Sequence, residues 1–429
     1  MPKPTRREFI KTGAGAIGAG LALPVINRAA EGTTIVKRLK EDLAGNGNIL
    51  VIVELAGGND GLNTIVPLQQ YDTYASLRAR IKHDKDKVLP LYGTTTMGLS
   101  PNLEAIKPIA DAGKMAVIQA AHYPTPNLSH ESSRYIYYRG TPNPSVSTFN
   151  STGWIGRDSS LFGNKENSLD TIGVGSVNPT LYALGAKVSG INATADGSPS
   201  GYQFNTDGRF AGDRANQLAA ARVMDTGVGP PYADLVETTE LDAFDSADRV
   251  AEANRTYQSS VVYPAQNNFA AGLKLIAKLA TASPTLGTRV FHISTGGFDT
   301  HANQIVDQQR LHQNVSAGLK AFYDDLVAHN IQDRVVVMIW TEFGRRVADN
   351  ASNGTDHGTA NDMIIIGDRV KGGTYGADPN LTDLERGNLK WKIDFRAVYQ
   401  TILESWLGRS SADVGQVLGG DFGNLGFIA

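Results

Sequence analysis

The chain has 429 residues and contains no cysteine. This absence excludes disulfide bonds, thiolate zinc sites, iron–sulfur clusters and a cysteine nucleophile. Net charge is also small, because 40 Lys and Arg stand against 43 Asp and Glu. Such a balance provides no strongly basic surface, so we expect neither nucleic acid nor an anionic membrane as a partner.

Long apolar runs are missing after the first thirty residues. The N-terminal motif "TRREFIK" matches a twin-arginine export signal, and the Gly/Ala-rich segment behind it is shorter than the roughly 20 apolar residues that span a bilayer. We predict a twin-arginine signal peptide over residues 1–30, recognition by the twin-arginine export machinery, and a periplasmic or extracellular location without a stable membrane span after cleavage. The alternatives are an amphipathic starter helix with a chance Arg-Arg pair, or retention of the segment as an anchor.

Short apolar runs recur along the rest of the chain and are typical of strands buried on both faces. They lie at residues 49–55, 114–124, 288–294, 334–340 and 361–373. Because helical patterns alternate with them, we predict a single α/β domain over residues 31–429, with a large, mostly parallel, doubly wound sheet flanked by helices. Residues 141–240 are rich in Ser, Asn, Gly and Thr, and we interpret them as an insertion or cap.

Acidic and imidazole side chains follow several of these predicted strands. The carboxyl ends of parallel strands meet at one edge of a sheet, which is where open α/β sheets bind ligands. Carboxylates and neutral imidazoles are also ligands of divalent metals. The predicted metal ligands are Asp60, Asp299, His301, Glu342, Asp356 and His357. They suffice for one ion, or for two with water, and we expect zinc, manganese, calcium or magnesium.

Each of these residues also has a purely structural interpretation. Asp60 suits an Asx turn, Asp299 and His301 suit the start of a helix, and Glu342 suits an ion pair with Arg345 or Arg346. The functional interpretation rests on the joint pattern, because independent turn residues need not all be acids and histidines at one sheet edge.

The stretch "NLSHESS" predicts a helix capped by Ser129. A serine at a helix N-terminus gains from the helix dipole and from backbone N–H groups that face an anionic ester, so Ser129 is the candidate nucleophile. Thr125 and Ser132 are alternatives, and a plain cap is the structural one. We expect His130 to orient substrate or act as an acid.

Three further residues are expected to contact the substrate. His122 follows a predicted strand and precedes the serine, so it is placed at the pocket wall. Arg134 and Arg345 are candidates for stabilising negative charge on the reacting group.

The motifs "ELAGGNDGLNTIVP", "NLSHESS", "GGFDTHANQ", "TEFGRRVADN" and "GTDHGTAND" resemble, in order, the exported bacterial family called domain of unknown function fifteen-oh-one. That family is placed with the alkaline phosphatase and sulfatase superfamily, so the resemblance implies a large α/β sheet with metals at strand ends. It also implies that Asp299 and His301 serve one metal and Asp356 and His357 the other. Two departures stand out: one residue alone separates Asp299 from His301, and no histidine follows His357.

The resemblance implies an exported, metal-dependent hydrolase of phosphate or sulfate esters that acts on a small-molecule or polymer ester through Ser129. Because no histidine follows His357, the shell of a second metal is completed by Glu342 or by water, or that metal is absent. Two alternatives follow. One is a single-metal enzyme that uses activated water, and the other is an exported binding or scaffold protein on a degenerate hydrolase fold.

Overall fold

The computed structural model describes residues 47–142, 152–164, 167–175, 188–200 and 233–429. The predicted export signal over residues 1–30 lies outside them. Within the described ranges, no helix is both long enough and apolar enough to cross a bilayer.

Strands and helices alternate along most of the chain. The strands are β1 (Ile49–Leu55), β2 (Ile65–Pro67), β3 (Leu89–Pro90), β4 (Met97–Leu99), β5 (Met115–His122), β6 (Thr171–Val174), β7 (Ser189–Ala193), β8 (Pro199–Ser200), β9 (Val290–Thr295), β10 (Val335–Trp340), β11 (Asn361–Ile366), β12 (Gly373–Tyr375), β13 (Leu384–Glu385), β14 (Asn388–Leu389) and β15 (Ile393–Asp394). The helices are α1 (Gly61–Thr64), α2 (Tyr71–Leu77), α3 (Lys107–Asp111), α4 (His130–Arg139), α5 (Trp154–Phe162), α6 (Ala233–Thr256), α7 (Asn268–Thr281), α8 (Ser283–Leu286), α9 (Gln304–Ala328), α10 (Phe395–Ser405) and α11 (Ser411–Leu418).

The central sheet of the described residues has ten strands, in the order β12-β5-β11-β10-β1-β9-β6-β7-β8, with β15 also paired to β5. Strand β1 lies at its centre and pairs in parallel with both β9 and β10. Strand β11 runs antiparallel to its two neighbours, β10 and β5. The sheet is therefore mixed but mostly parallel, which confirms the predicted α/β class.

Helices cover both faces of this sheet. Along β1, Val51 and Val53 pack into one hydrophobic cluster with residues of α7 and α9. Leu50 and Ile52, which point to the other face, pack with residues of α4, α5, α10 and α11. Every residue of β1 is buried, as a strand sandwiched between two helical layers requires.

The stretch 141–240, interpreted from its composition as an insertion or cap, contributes strands β6, β7 and β8 to the central sheet. Strand β6 pairs in parallel with β9, and β7 pairs in parallel with β6. Short runs here, such as "LDTIGVGS", read as strands in the sequence, but the composition does not indicate that they pair within the central sheet. Residues 143–151, 165–166, 176–187 and 201–232 lie outside the described residues.

Candidate metal centre

The ends of five strands bring their adjoining loops to one edge of the sheet. Strands β5, β10, β1 and β9 end there, and β11, being antiparallel, begins there, with Asn361 opposite Ala121. The loops after β1, β5, β9 and β10 and the loop before β11 therefore share one region. The strand ends therefore converge at one edge of the sheet, as predicted.

Three ligand-type side chains meet at this edge: His130 at the start of α4, Asp299 after β9, and His357 before β11. Each offers an atom within 4.8 Å of the atoms offered by the others. His357 Nε2 lies 3.1 Å from Asp299 Oδ1, and His130 Nε2 lies 3.4 Å from Asp299 Oδ2. We call these three residues the His-Asp-His cluster.

His301 borders the cluster. Its Nε2 lies 3.0 Å from His357 Nε2 and 3.1 Å from Asp299 Oδ1. Its Nδ1 lies 3.6 Å from Asp356 Oδ1, and Asp356 is exposed. Two imidazole nitrogens at 3.0 Å from each other and near one carboxylate oxygen are arranged as ligands of a shared cation would be.

The hydrogen bonds of the cluster histidines determine which nitrogen is free. His357 Nδ1 lies 3.0 Å from the carbonyl oxygen of Leu128, which can only accept, so Nδ1 carries the proton. His130 Nδ1 lies 2.7 Å from the buried carboxylate of Glu342. Both rings therefore turn Nε2 toward Asp299, and when neutral each presents a lone pair there. An oxygen acceptor behind a ligand histidine is characteristic of protein metal sites.

Electrostatics keep Asp299 ionised. Burial alone favours the neutral acid, but the hydrogen bond from Arg345 and the positive charge of its guanidinium outweigh it and lower the pKa of Asp299 to about 2. The hydrogen bond to Glu342 raises the pKa of His130. Burial lowers the pKa of His357 and so favours its neutral, ligating form.

Residues 48–423 match the family described as "Protein of unknown function (DUF1501)". The chain belongs to this family. No curated protein matches the chain in sequence.

Solved structures similar to this DUF1501 chain include three differently named enzymes. The PsFucS1 sulfatase from Pseudoalteromonas sp. is 10% identical, with 92% of this chain and 75% of that one covered and a TM-score of 0.37. The alkaline phosphatase from the Antarctic bacterium TAB5 is 10% identical, with 87% and 98% covered and a TM-score of 0.33. The lipoteichoic acid synthase LtaP from Listeria monocytogenes is 8% identical, and the chain covers 66% of it, with 76% of this chain covered and a TM-score of 0.33. Identities this low do not transfer a function to this chain.

Ser129 of this DUF1501 chain is the N-cap residue of α4, as predicted, and it is exposed. Its side chain makes no capping hydrogen bond. Its two neighbours both touch the cluster, Leu128 through its carbonyl oxygen and His130 through its ring. Ser129 thus lies between two residues at the cluster, and its hydroxyl does not act as a helix cap. His130, expected to act on substrate, lies in the cluster as a ligand-type side chain.

Asp60, predicted as a metal ligand, is engaged elsewhere. Its carboxylate is buried and accepts hydrogen bonds at 2.5 Å from Arg78 Nη1 and from Gln304 Nε2. The guanidinium of Arg78 is itself fully buried, so the two charges neutralise each other inside the protein. Asp60 consequently does not join the His-Asp-His cluster.

Glu342 and Arg345 were predicted as a metal ligand and a substrate contact, respectively, and the structure places both behind the cluster. Glu342 is buried and accepts from the N–H of Gly57 and from His130. Arg345 is buried and donates hydrogen bonds to backbone carbonyls and to Asp299. Neither has a free polar group to offer to a substrate.

Arg134 and His122 are not among the side chains that the structure brings to the cluster. Arg134 donates from Nε to Glu54 and from Nη2 to the hydroxyl of Tyr138. His122 is fully buried, and neither ring nitrogen has a hydrogen-bond partner among the described residues. Burial lowers its pKa to about 3, so it is a neutral core residue.

One residue of the site escaped the sequence prediction. Phe343 is fully buried, and its ring packs against the rings of both His130 and His357. A phenylalanine after a buried strand is ordinarily interpreted as core. Its position beside Glu342 in "TEFGRR" was the available signal.

Proposed function

We propose that the chain is an exported, metal-dependent hydrolase of phosphate or sulfate esters. The observation that carries this proposal is the His-Asp-His cluster with Ser129 next to His130. Ser129 is an exposed N-cap residue whose hydroxyl makes no capping hydrogen bond. Export rests on the "TRREFIK" motif.

The donor set of the cluster fits a divalent cation. Two imidazole nitrogens and one ionised carboxylate are available, and His301 offers a third imidazole at 3.0 Å from His357. Nitrogen-rich sets of this kind favour zinc over calcium and magnesium, which prefer all-oxygen sites. His130, Asp299 and His357, with His301, would hold the ion. A bound ion would supply Lewis-acid polarisation of the ester oxygen and lower the pKa of a nearby hydroxyl.

The chain itself contributes the nucleophile and part of an anion site. Ser129 Oγ attacks the phosphorus or sulfur atom, the bond from that atom to the ester oxygen breaks, and the leaving alkoxide takes up a proton in place of the one that the serine hydroxyl gives up to solvent. Water then cleaves the seryl ester, which releases phosphate or sulfate and restores the hydroxyl. The first backbone N–H groups of α4 have no partner inside the helix and face the negative charge that develops there. The ten-residue length of α4 and its left-handed C-cap at Gly140 give it a defined axis and dipole.

The test is a panel of aryl phosphates, phosphodiesters and aryl sulfates, assayed with the purified chain after supplementation with zinc or manganese. We expect hydrolysis of at least one ester class and its loss on chelation. Ser129→Ala should reduce turnover by at least about 1,000-fold, because it removes the attacking oxygen. Ser132→Ala and Thr125→Ala, which remove nearby hydroxyls, are the matched controls and should retain activity.

The outcomes separate the alternatives. A chain that binds no ion, and whose thermal stability is unchanged by chelation, contradicts both enzymatic interpretations. If the Ser129→Ala variant is active and still depends on metal, the nucleophile is activated water and not the serine. The metal assignment is then unaffected.

A second candidate, an exported binding protein, is favoured by Asp60. The ion pair with Arg78 engages Oδ2 of this carboxylate, which leaves only the buried Oδ1 for a second ion. One bound ion per chain, tight binding of a phosphate or sulfate ester and no turnover across the panel would support this candidate instead.

A further inference from the structure

One short segment contacts every member of the His-Asp-His cluster without contributing a ligand to it. It follows β10 and consists of Glu342, Phe343 and Arg345, which we call the β10 segment. All three side chains are buried. Side chains that cannot reach a substrate but touch each ligand are placed to determine where those ligands lie.

Glu342 orients the ring of His130. Its Oε1 lies 2.7 Å from His130 Nδ1, and the same oxygen accepts from the N–H of Gly57 at 2.9 Å. The hydroxyl of Thr341 donates to Oε2 at 3.1 Å. The carboxylate is therefore held from β1 and β10 together, and it fixes both the tautomer and the plane of His130.

Phe343 supports the faces of both imidazoles. Its ring centroid lies 4.8 Å from that of His130 and 4.6 Å from that of His357, each at an interplanar angle of 40°. On another side it is confined by Gly58, where an added Cβ would lie 2.4 Å from Cε2 of the phenyl ring. The ring has no room to withdraw, so the spacing of the two histidines depends on its size.

Arg345 joins the loops that carry the cluster. Its guanidinium donates to the carbonyls of Gly58 at 2.6 Å and Thr355 at 2.9 Å, and to Asp299 Oδ1 at 2.6 Å. These acceptors belong to the loops after β1, before β11 and after β9. A planar, five-donor guanidinium can bridge such loops, whereas a lysine ammonium cannot reproduce the fork.

We propose that Glu342, Phe343 and Arg345 are positioning residues that preorganise the His-Asp-His cluster for a divalent ion. The inference rests on the ion-binding part of the proposed function and is independent of whether the chain hydrolyses an ester. A preformed cluster spares the ion the cost of ordering its ligands, so loosening the β10 segment lowers affinity while every ligand is still present.

The experiment measures zinc affinity of the full chain by competition with a chromophoric chelator, and records the visible absorption of the cobalt(II) form. Glu342→Gln removes the charge behind His130, and Phe343→Leu removes the ring behind both histidines. We expect each to weaken zinc binding by about 10- to 100-fold and to alter the cobalt spectrum. Phe343→Leu keeps an apolar side chain in place, so it remains informative where Glu342→Gln fails to fold.

Two matched variants control for loss of stability. Asp325→Asn replaces another fully buried carboxylate, one that accepts from Ser259 and lies against His329. Phe395→Leu truncates another fully buried phenylalanine, which packs on Tyr137. Both should keep the affinity and spectrum of the unaltered chain.

Each remaining outcome overturns a specific statement. Equal zinc affinity in the unaltered chain, Glu342→Gln and Phe343→Leu overturns the positioning role and leaves the metal centre standing. Equal losses in the test and control variants also overturn it, in favour of general destabilisation. No zinc or cobalt binding by the unaltered chain overturns the metal centre and this inference with it.

Discussion

His122 is a buried imidazole without a hydrogen-bond partner in the described part of the chain, and its burial lowers its pKa from 6.5 to about 3. Unfolding exposes the ring, which then takes up a proton below pH 6.5, whereas the folded chain does not until pH 3. Stability therefore falls as pH drops through this window, by up to about 1.4 kcal/mol per unit. We predict that His122→Leu removes about 2 kcal/mol of the loss between pH 7 and pH 5.

Urea unfolding of the wild-type chain and of His122→Leu at pH 7 and pH 5 checks this. Burial lowers the pKa of His312 to about 3 as well, so the variant keeps part of the acid sensitivity. Identical losses of unfolding free energy in the two chains would show that His122 is not protonated on unfolding in this range.

Some residues at the site can be predicted from the sequence and others cannot. Asp299, His301, Asp356 and His357 were identifiable because strand ends bring polar side chains to one edge. The sequence does not indicate that the carboxylate of Asp60 points into the protein. That orientation depends on the ion pair with Arg78, and the strand pattern does not connect these two residues. The inward direction of Arg345 depends likewise on carbonyls such as that of Thr355, supplied by other loops.

The loop before β11 reaches the cluster only because glycines flank Asp356 and His357. A Cβ on Gly354 would lie 2.3 Å from the carbonyl carbon of His301, and one on Gly358 would lie 2.3 Å from that of Arg345. Both contacts are with backbone, so no side-chain rotation can relieve them. The loop therefore requires glycine at both positions.

We predict that Gly354→Ala displaces this loop and weakens zinc binding at least about 10-fold, since ligand position governs affinity. Calorimetric zinc titration measures the effect. Gly415→Ala in α11, where an added Cβ meets nothing within 4 Å, is the matched control and should bind zinc normally. Undiminished affinity in Gly354→Ala would mean that the loop adapts without moving His357.

Most of the elements themselves were predictable. The apolar runs that became β1, β5, β9, β10 and β11 are long enough to be recognised, and Asp394 caps α10 as its spacing suggests. The antiparallel direction of β11 was not predicted, because an apolar run has no direction. The absence of a helix between β10 and β11 was the missed signal, since parallel neighbours need a crossover connection.

The His-Asp-His cluster joins parts of the chain that are remote in sequence. His130 follows β5, Asp299 follows β9 and His357 precedes β11, on strands distributed across the sheet. An unfolded chain does not hold these side chains together. An ion bound at the cluster therefore prefers the folded state and links the two sides of the central strand β1.

We accordingly predict that zinc or manganese raises the thermal unfolding temperature and that a chelator reverses the rise. At an ion concentration about 100 times the dissociation constant, the stabilisation is about 2.7 kcal/mol. Differential scanning calorimetry of the chelator-treated chain, with and without added ion, measures it. His357→Ala should lose most of the shift because a ligand is gone, whereas His329→Gln, at the far end of α9, should retain it. A shift that is the same in all three chains would place the stabilising ion outside the cluster, because an ion held by His357 cannot stabilise the fold equally without it.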